Sequence, residues 1–350
     1  MNPFVYSGLP MRVVFGAGSV AELAKEVDRL GAKRALLLAT AGRTAMVKSV
    51  AEPLGIRVAG VFDRVVMHTP LELAEEARRL AASVQADCCV VVGGGSTIGF
   101  GKAIALTSAL PLLAVPTTYS GSEMTTIWGI REGGAKKTGR DPKVLPKTVI
   151  YDPALTVDLP PHVSAASGMN AMAHCVEALY AHDGNPIVSM MAEEGIRALA
   201  SALPRVMENP KDIEARSDAL YGAWLAGCTI STTSIALHHK LCHVLGGSFN
   251  LPHAETHSIV LPHAVRYNES AAEAMRRIER ALGARDAAAA IYDLEKKLRL
   301  PLRLADIGMK EQDLERAARI AADAPYPNPR KVEYAPVLEL LRHAYEGVRP

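Results

Sequence analysis

Between Arg12 and Thr118 the chain alternates short, branched apolar runs with segments of helical periodicity, and beyond Asp152-Pro153 such runs stop. The runs at 34–39, 57–62, 88–92 and 112–115 read as buried strands. Between them, 20–30, 71–84 and 97–106 space their apolar positions as helices do. Strand and helix in alternation predict a doubly wound α/β layer with a mostly parallel sheet. After the break, 164–180, 188–202, 213–228 and several segments beyond Ala271 carry helical spacing only. The expectation is two domains, an α/β domain over 1–155 and an all-α domain over 156–350.

A length of 350 residues accommodates both domains. With 49% apolar and 22% charged residues the chain is not disordered as a whole. Its formal net charge of +2 argues against a dedicated nucleic-acid binder. The charge is unevenly shared: the first 155 residues hold 18 basic and 13 acidic side chains, net +5, and the rest 21 and 24, net −3. Residues 131–147 read as a joining loop with six basic side chains and two acidic ones. Such a loop is either a solvated surface or a positive rim that attracts an anionic substrate. Met1-Asn2-Pro3-Phe4 shows no secretory leader. The greasiest stretch, 104–115, is broken by Ser108 and Pro111 and is too short for a bilayer. Five cysteines without a CxxC suggest a reducing, cytoplasmic home.

In the first half, Cys88-Cys-Val-Val-Val92 runs into Gly93-Gly94-Gly95-Ser96 and then a helix. Glycines leave backbone N–H groups uncovered, and a helix N-terminus adds unpaired donors and a positive dipole. The turn suits a pyrophosphate, although a plain strand–helix turn would look the same. It matches neither Gly-x-Gly-x-x-Gly nor the Walker pattern. A second strand end, Pro116-Thr117-Thr118-Tyr119-Ser120-Gly121-Ser122-Glu123, supplies hydroxyls where open α/β sheets gather ligands. A third strand ends at Thr40, with no carboxylate to grip a ribose diol and no arginine-rich phosphate site. That leaves NADH and NADPH both open.

Eight of the 11 histidines lie between His174 and His263. His239 and His243 are four apart, as are Asn170 and His174, so each pair shares a helix face. Facing helices that carry such pairs build metal sites or acid–base sites. His68, His162, His182 and His343 read as ordinary packed or surface residues. His253-Ala-Glu255-Thr-His257 is not the zinc-protease motif, since Glu255 lies about 200° around a helix from His253. An active-site role falls to His174, His239, His243 and His253.

Taken in order, Gly93-Gly-Gly-Ser96, Pro116-Thr-Thr118 with Gly121-Ser-Glu123, Asp152-Pro153, Gly168-Met-Asn-Ala-Met-Ala-His174 and His239-x-x-x-His243…His253 resemble the iron-containing alcohol dehydrogenases. The resemblance runs from about residue 12 to beyond 265. It implies a nucleotide-binding α/β domain, a helical domain as in dehydroquinate-synthase-like proteins, and a nicotinamide cofactor in the cleft between them. It also implies a homodimer. In that family the position of Asn170 is normally an aspartate that binds metal with the histidines matching His174, His239 and His253. Gly99 likewise stands where an acidic residue usually precedes the lysine matching Lys102.

Both departures are similar to the branch that reduces maleylacetate to 3-oxoadipate in aromatic-compound degradation, generally without metal. A carbonyl that receives hydride needs a Lewis acid, whereas an enone takes hydride at its β-carbon and leaves an enolate that hydrogen-bond donors can stabilise. The roles this suggests are His243 as proton donor or enolate stabiliser, and Asn170, His174, His239, His253 and Lys240 as holders of a small dicarboxylate. Gly93, Gly94, Gly95 and Ser96 would hold the cofactor pyrophosphate, Thr117 and Thr118 the nicotinamide end, and Thr40 would also meet the cofactor. NADH is expected, with NADPH open, and no metal. The alternatives are a metal-dependent alcohol or aldehyde dehydrogenase, and a lyase that recycles its nucleotide.

Overall fold

The computed structural model describes every residue except 1–3, 5, 10, 67, 68, 134, 324 and 325, and only the backbone of 135 and 136. His68 therefore lies outside the described residues. The chain forms two compact units, Gly8–Leu159 and Pro160–Pro350, the second taking in the described residues before Gly8.

The first unit begins with β1 (Arg12–Phe15), α1 (Leu23–Arg29), β2 (Ala35–Thr40), α2 (Thr44–Val50) and β3 (Val58–Val65). It continues with α3 (Leu71–Ser83), β4 (Cys88–Gly93), α4 (Gly95–Ser108) and β5 (Leu112–Pro116). A hairpin, β6 (Ile127–Glu132) and β7 (Ala135–Arg140), precedes β8 (Thr148–Tyr151). Six strands form one sheet in the order β1-β8-β5-β4-β2-β3, every pair parallel. Alternate residues of β2 and β4 serve opposite faces. Leu37, Ala39, Val90 and Val92 meet Leu23 and Val27 of α1 and Val47 and Val50 of α2. Leu36, Leu38, Cys89 and Val91 meet Ala77 and Ala81 of α3 and Ile98, Phe100 and Ile104 of α4. Strands buried on both sides must be apolar throughout, which explains their unbroken runs. The chain leaves β2 toward β3 but leaves β4 toward β5, so the order reverses between β2 and β4. A crevice opens at such a reversal, beyond the carboxyl ends of the strands.

The basic segment 131–147 is not simply a loop. Its first part is the β6–β7 hairpin, in which Trp128 and Ile130 pack against Leu71 and Ala74 of α3 and Ala103 and Leu106 of α4. Arg131 in β6 and Lys136, Lys137 and Arg140 in β7 break the apolar alternation and hide the strand period. Gly139 is required there, because a Cβ would lie 2.7 Å from the Trp128 ring.

The second unit is helical: α5 (Pro161–Tyr180), α6 (Pro186–Glu208), α7 (Ile213–Thr232), α8 (Leu237–Phe249), α9 (His253–Tyr267), α10 (Ala272–Leu282), α11 (Ala287–Lys297), α12 (Leu314–Ala322) and α13 (Tyr334–Glu346). Helix α6 runs past Pro204, beyond its expected end, and α7 continues through Thr229, Ser231 and Thr232, whose hydroxyls donate to carbonyls one turn back. Close helix approach rests on glycine: a Cβ at Gly168 would lie 2.5 Å from Leu203, and one at Gly195 2.7 Å from Cys175 Sγ. No single helix among the described residues is long and apolar enough to cross a membrane.

Candidate functional site

In the first unit a ligand cradle forms at the carboxyl ends of β2, β4 and β5. The register pairs Leu38 with Val91 and Gly93 with Pro116, which brings Thr40, Gly93 and Thr117 to one edge of the sheet. Helix α4 starts directly after this edge, and no side chain caps it. Its first-turn N–H groups therefore need another acceptor. Gly93 has φ +153°, and a Cβ there would lie 2.5 Å from Thr97 Oγ1. A Cβ at Gly94 or Gly95 would lie 3.0 Å from Thr118 or Ser120. The cradle is thus bare backbone flanked by hydroxyls, which fits a cofactor phosphate.

Below it, Lys102 is wholly buried and donates from Nζ to Ser122 O, to Thr125 Oγ1 at 2.8 Å and to Ile127 O at 3.0 Å. Burial pulls this lysine down to about 7. Glu123 accepts from the Tyr151 hydroxyl at 2.8 Å, and burial pushes its carboxyl up. This lysine braces the loop after β5 by hydrogen bonds to three of its oxygens.

The second unit holds the histidine centre, built from α5, α8 and α9. Asn170, His174 and Glu177 share one face of α5 and are buried. Glu177 accepts from the backbone N–H groups of Ala236 (2.8 Å), His238 (2.7 Å) and His239 (3.4 Å), closing the open start of α8. It also lies 2.7 Å from His239 Nδ1. His238 Nε2 contacts the carbonyl of His257 at 2.9 Å, tying α8 to α9. The His174 and His239 rings stack with centroids 5.1 Å apart, His257 lies 5.0 Å from His239, and His253 lies 4.3 Å from His257. Asn170 Oδ1, His174 Nδ1, His239 Nε2 and both ring nitrogens of His257 are buried without a hydrogen-bond partner. Unpaired polar atoms in such number mark a place for a ligand.

Burial, reinforced by the neighbouring imidazoles, holds His174, His239 and His257 far below the usual histidine range, and burial brings His238 to about 4. Burial also pushes the Glu177 carboxyl up, against the donors that face it. That direction favours the neutral imidazole at His174 and His239, a hydrogen-bonding group rather than a cation.

Of the expected site residues, Asn170, His174 and His239 come together. His243 and His253 are exposed; His243 stands 6.3 Å from His239, ring to ring. Lys240 is half-buried and its Nζ lies 5.8 Å from the Tyr326 ring centroid, a cation–π contact. His162, His182 and His343 are on the surface, as the sequence suggests. Glu177, His238 and His257 escape a reading of motifs. Glu177 leaves one trace, as the sole charged residue of α5 other than histidine.

His238, His239 and His257 have ring nitrogens within 4.8 Å of one another, close enough for a shared ion. Of the three, His238 has no lone pair free for one. His238 uses Nε2 on a carbonyl, and its Nδ1 faces His239 Nδ1 at 3.4 Å, which is itself directed at Glu177. The remaining donors, around Asn170, are neutral, and the carboxylate of Glu177 is already engaged. Such a set lacks an anionic ligand, which weakens it for a hard or borderline divalent cation, although three neutral imidazoles are enough to hold zinc.

Residues 10–153 match the family described as iron-containing alcohol dehydrogenase, and residues 164–345 match the C-terminal part of the Fe-containing alcohol dehydrogenase family. The maleylacetate reductase of Burkholderia cepacia is 55% identical, with 100% of both chains covered. That of Sphingobium indicum is 52% identical over 99% of each. The crystal structure of maleylacetate reductase from Agrobacterium tumefaciens matches with a TM-score of 0.98 at 48% identity, covering 100% of each chain.

Proposed function

This chain belongs to the iron-containing alcohol dehydrogenase family, and from that premise we propose that it reduces the conjugated C=C of maleylacetate to give 3-oxoadipate, with NAD(P)H and without metal. That it is a nicotinamide-dependent oxidoreductase follows from the full-length likeness to maleylacetate reductases. The observation that carries the metal-free reading is the neutrality of the donors around Asn170, with Glu177 turned to His239 and to α8.

A nicotinamide held there would supply hydride to the β-carbon of the enone, the C=C electron pair would pass through the α-carbon to the keto oxygen, and a proton taken up at the α-carbon would complete the reduction. The open start of α4 at Gly93, Gly94, Gly95 and Ser96 receives the pyrophosphate, with Thr117 and Thr118 toward the nicotinamide and Thr40 toward the ribose. His243, exposed and able to exchange protons with solvent, is the proton donor. The Asn170 amide and the imidazoles of His174, His239 and His253 orient the substrate oxygens, and Lys240 adds positive charge.

The test follows NADH and NADPH oxidation with freshly generated maleylacetate, with and without a strong chelator. Turnover that survives chelation is expected. Loss of activity, restored by iron or zinc, overturns the metal-free reading and favours a metal-dependent dehydrogenase.

A further inference from the structure

We propose that Glu177 sets the tautomer of His239, so that the centre offers a lone pair rather than an N–H at His239 Nε2. This makes Glu177 a positioning residue, and it rests on the reading above that His239 faces the substrate. Two observations lead to the same tautomer. First, Glu177 is surrounded by donors: Oε2 takes Ala236 N–H and faces His239 Nδ1, while Oε1 takes His238 N–H and His239 N–H. As a carboxylate, Glu177 offers only acceptor oxygens, and these require a proton on His239 Nδ1. Second, His238 must donate from Nε2 to the His257 carbonyl, since a carbonyl only accepts. His238 Nδ1 is therefore a lone pair, and it lies 3.4 Å from His239 Nδ1. Two facing lone pairs would repel, so again His239 Nδ1 carries the hydrogen.

What remains is His239 Nε2, buried, without a partner, and an acceptor. It can hold a water or a substrate hydroxyl, such as the enol form of the keto group, but it has no proton to give. Proton delivery is thereby left to His243. One carboxylate thus serves two ends, holding the first turn of α8 and choosing which nitrogen of that helix's histidine meets the ligand.

Glu177→Gln separates these two jobs. Its amide oxygen can keep the N–H groups of His238 and His239, while its NH2, at the cost of the Ala236 N–H contact, turns toward His239 Nδ1 and forces the hydrogen onto Nε2. The experiment uses full-length protein with 15N-labelled histidine, the His239 signals being identified by their loss in His239→Gln. The wild type should show His239 protonated at Nδ1, and Glu177→Gln should move that proton to Nε2. By analogy with other groups that orient a ligating histidine, kcat on maleylacetate should fall about 10- to 100-fold with little change in KM. Glu177→Asp, which keeps the carboxylate, should hold the Nδ1–H tautomer and restore part of the rate. A wild-type His239 protonated at Nε2, or an unchanged tautomer in Glu177→Gln, overturns the proposal. A moved tautomer with unaltered kcat also overturns it, by taking His239 out of the substrate site. A wild type that does not reduce maleylacetate at all instead sinks the functional reading, and the tautomer question is still decided by the spectra.

Discussion

The α4 cradle and the histidine centre, the two sites proposed for cofactor and substrate, are built from opposite materials. The cradle is backbone: one strand end, three glycines and an open helix start, contiguous over Gly93 to Ser96. The centre is side chains drawn from α5, α8 and α9, with Glu177 and His239 meeting from 62 positions apart. A backbone site tolerates changes in most side chains but not the addition of a Cβ. A side-chain site is sensitive to every group that fixes an orientation. The two should therefore fail in different ways under mutation.

The strongest separation should come from His243→Asn. Loss of a general acid lowers kcat by about 10²- to 10⁴-fold, while the dissociation constant for NADH, read by fluorescence titration, should hardly move. Near-normal turnover would take His243 out of the chemistry and place the centre's function elsewhere. The reverse pattern is expected from Gly94→Val, which sets bulk over the open N–H groups and against Thr118. Losing one or two charge-assisted phosphate bonds should weaken cofactor binding by about 10- to 100-fold, with kcat at saturating cofactor largely kept. An unchanged cofactor affinity would mean that the pyrophosphate binds away from α4.

The smallest effect concerns stability, outside both sites. His263 on α9 is buried, with Nε2 unpaired, and burial pulls it to about 4. Its folded value lies below its unfolded one, so the unfolded chain binds the extra proton as pH falls from about 6.5 toward 4. Stability from this group is complete above that window and is lost on acidification through it. His263→Gln should then lose less stability than the parent between pH 7 and pH 5, by on the order of 2 kcal/mol, in urea titrations at the two pH values. Equal losses would show that His263 is not held neutral in the fold.

The same contrast explains what could be read from residues alone. β2, β4 and β5 are legible because burial on both faces leaves them apolar from end to end, and the glycine turn is legible because it is contiguous. β1 and β8, four residues each, are too short to show a pattern, and the β6–β7 hairpin carries its strand period under lysine and arginine. Asn170 and His174 stand out through their spacing on one helix. Glu177 lies on that same face, but its meaning depends on where α8 begins in space, and no spacing along the chain encodes that. His238 and His257 are likewise defined by the approach of α8 to α9.

Asp152, at the far end of β8, accepts from the N–H groups of Gly18 and Val20 across 134 and 132 positions, and among the described residues β1 pairs with no strand but β8. Of the strands of this sheet, β1 leaves the ribosome before the others and is among the last to find its place. At ordinary translation speeds it waits on the order of 10 s for its partner. Until then the β5 edge lies open to any passing strand, which makes the nascent first unit, rather than the finished enzyme, the form of this chain most in need of a chaperone.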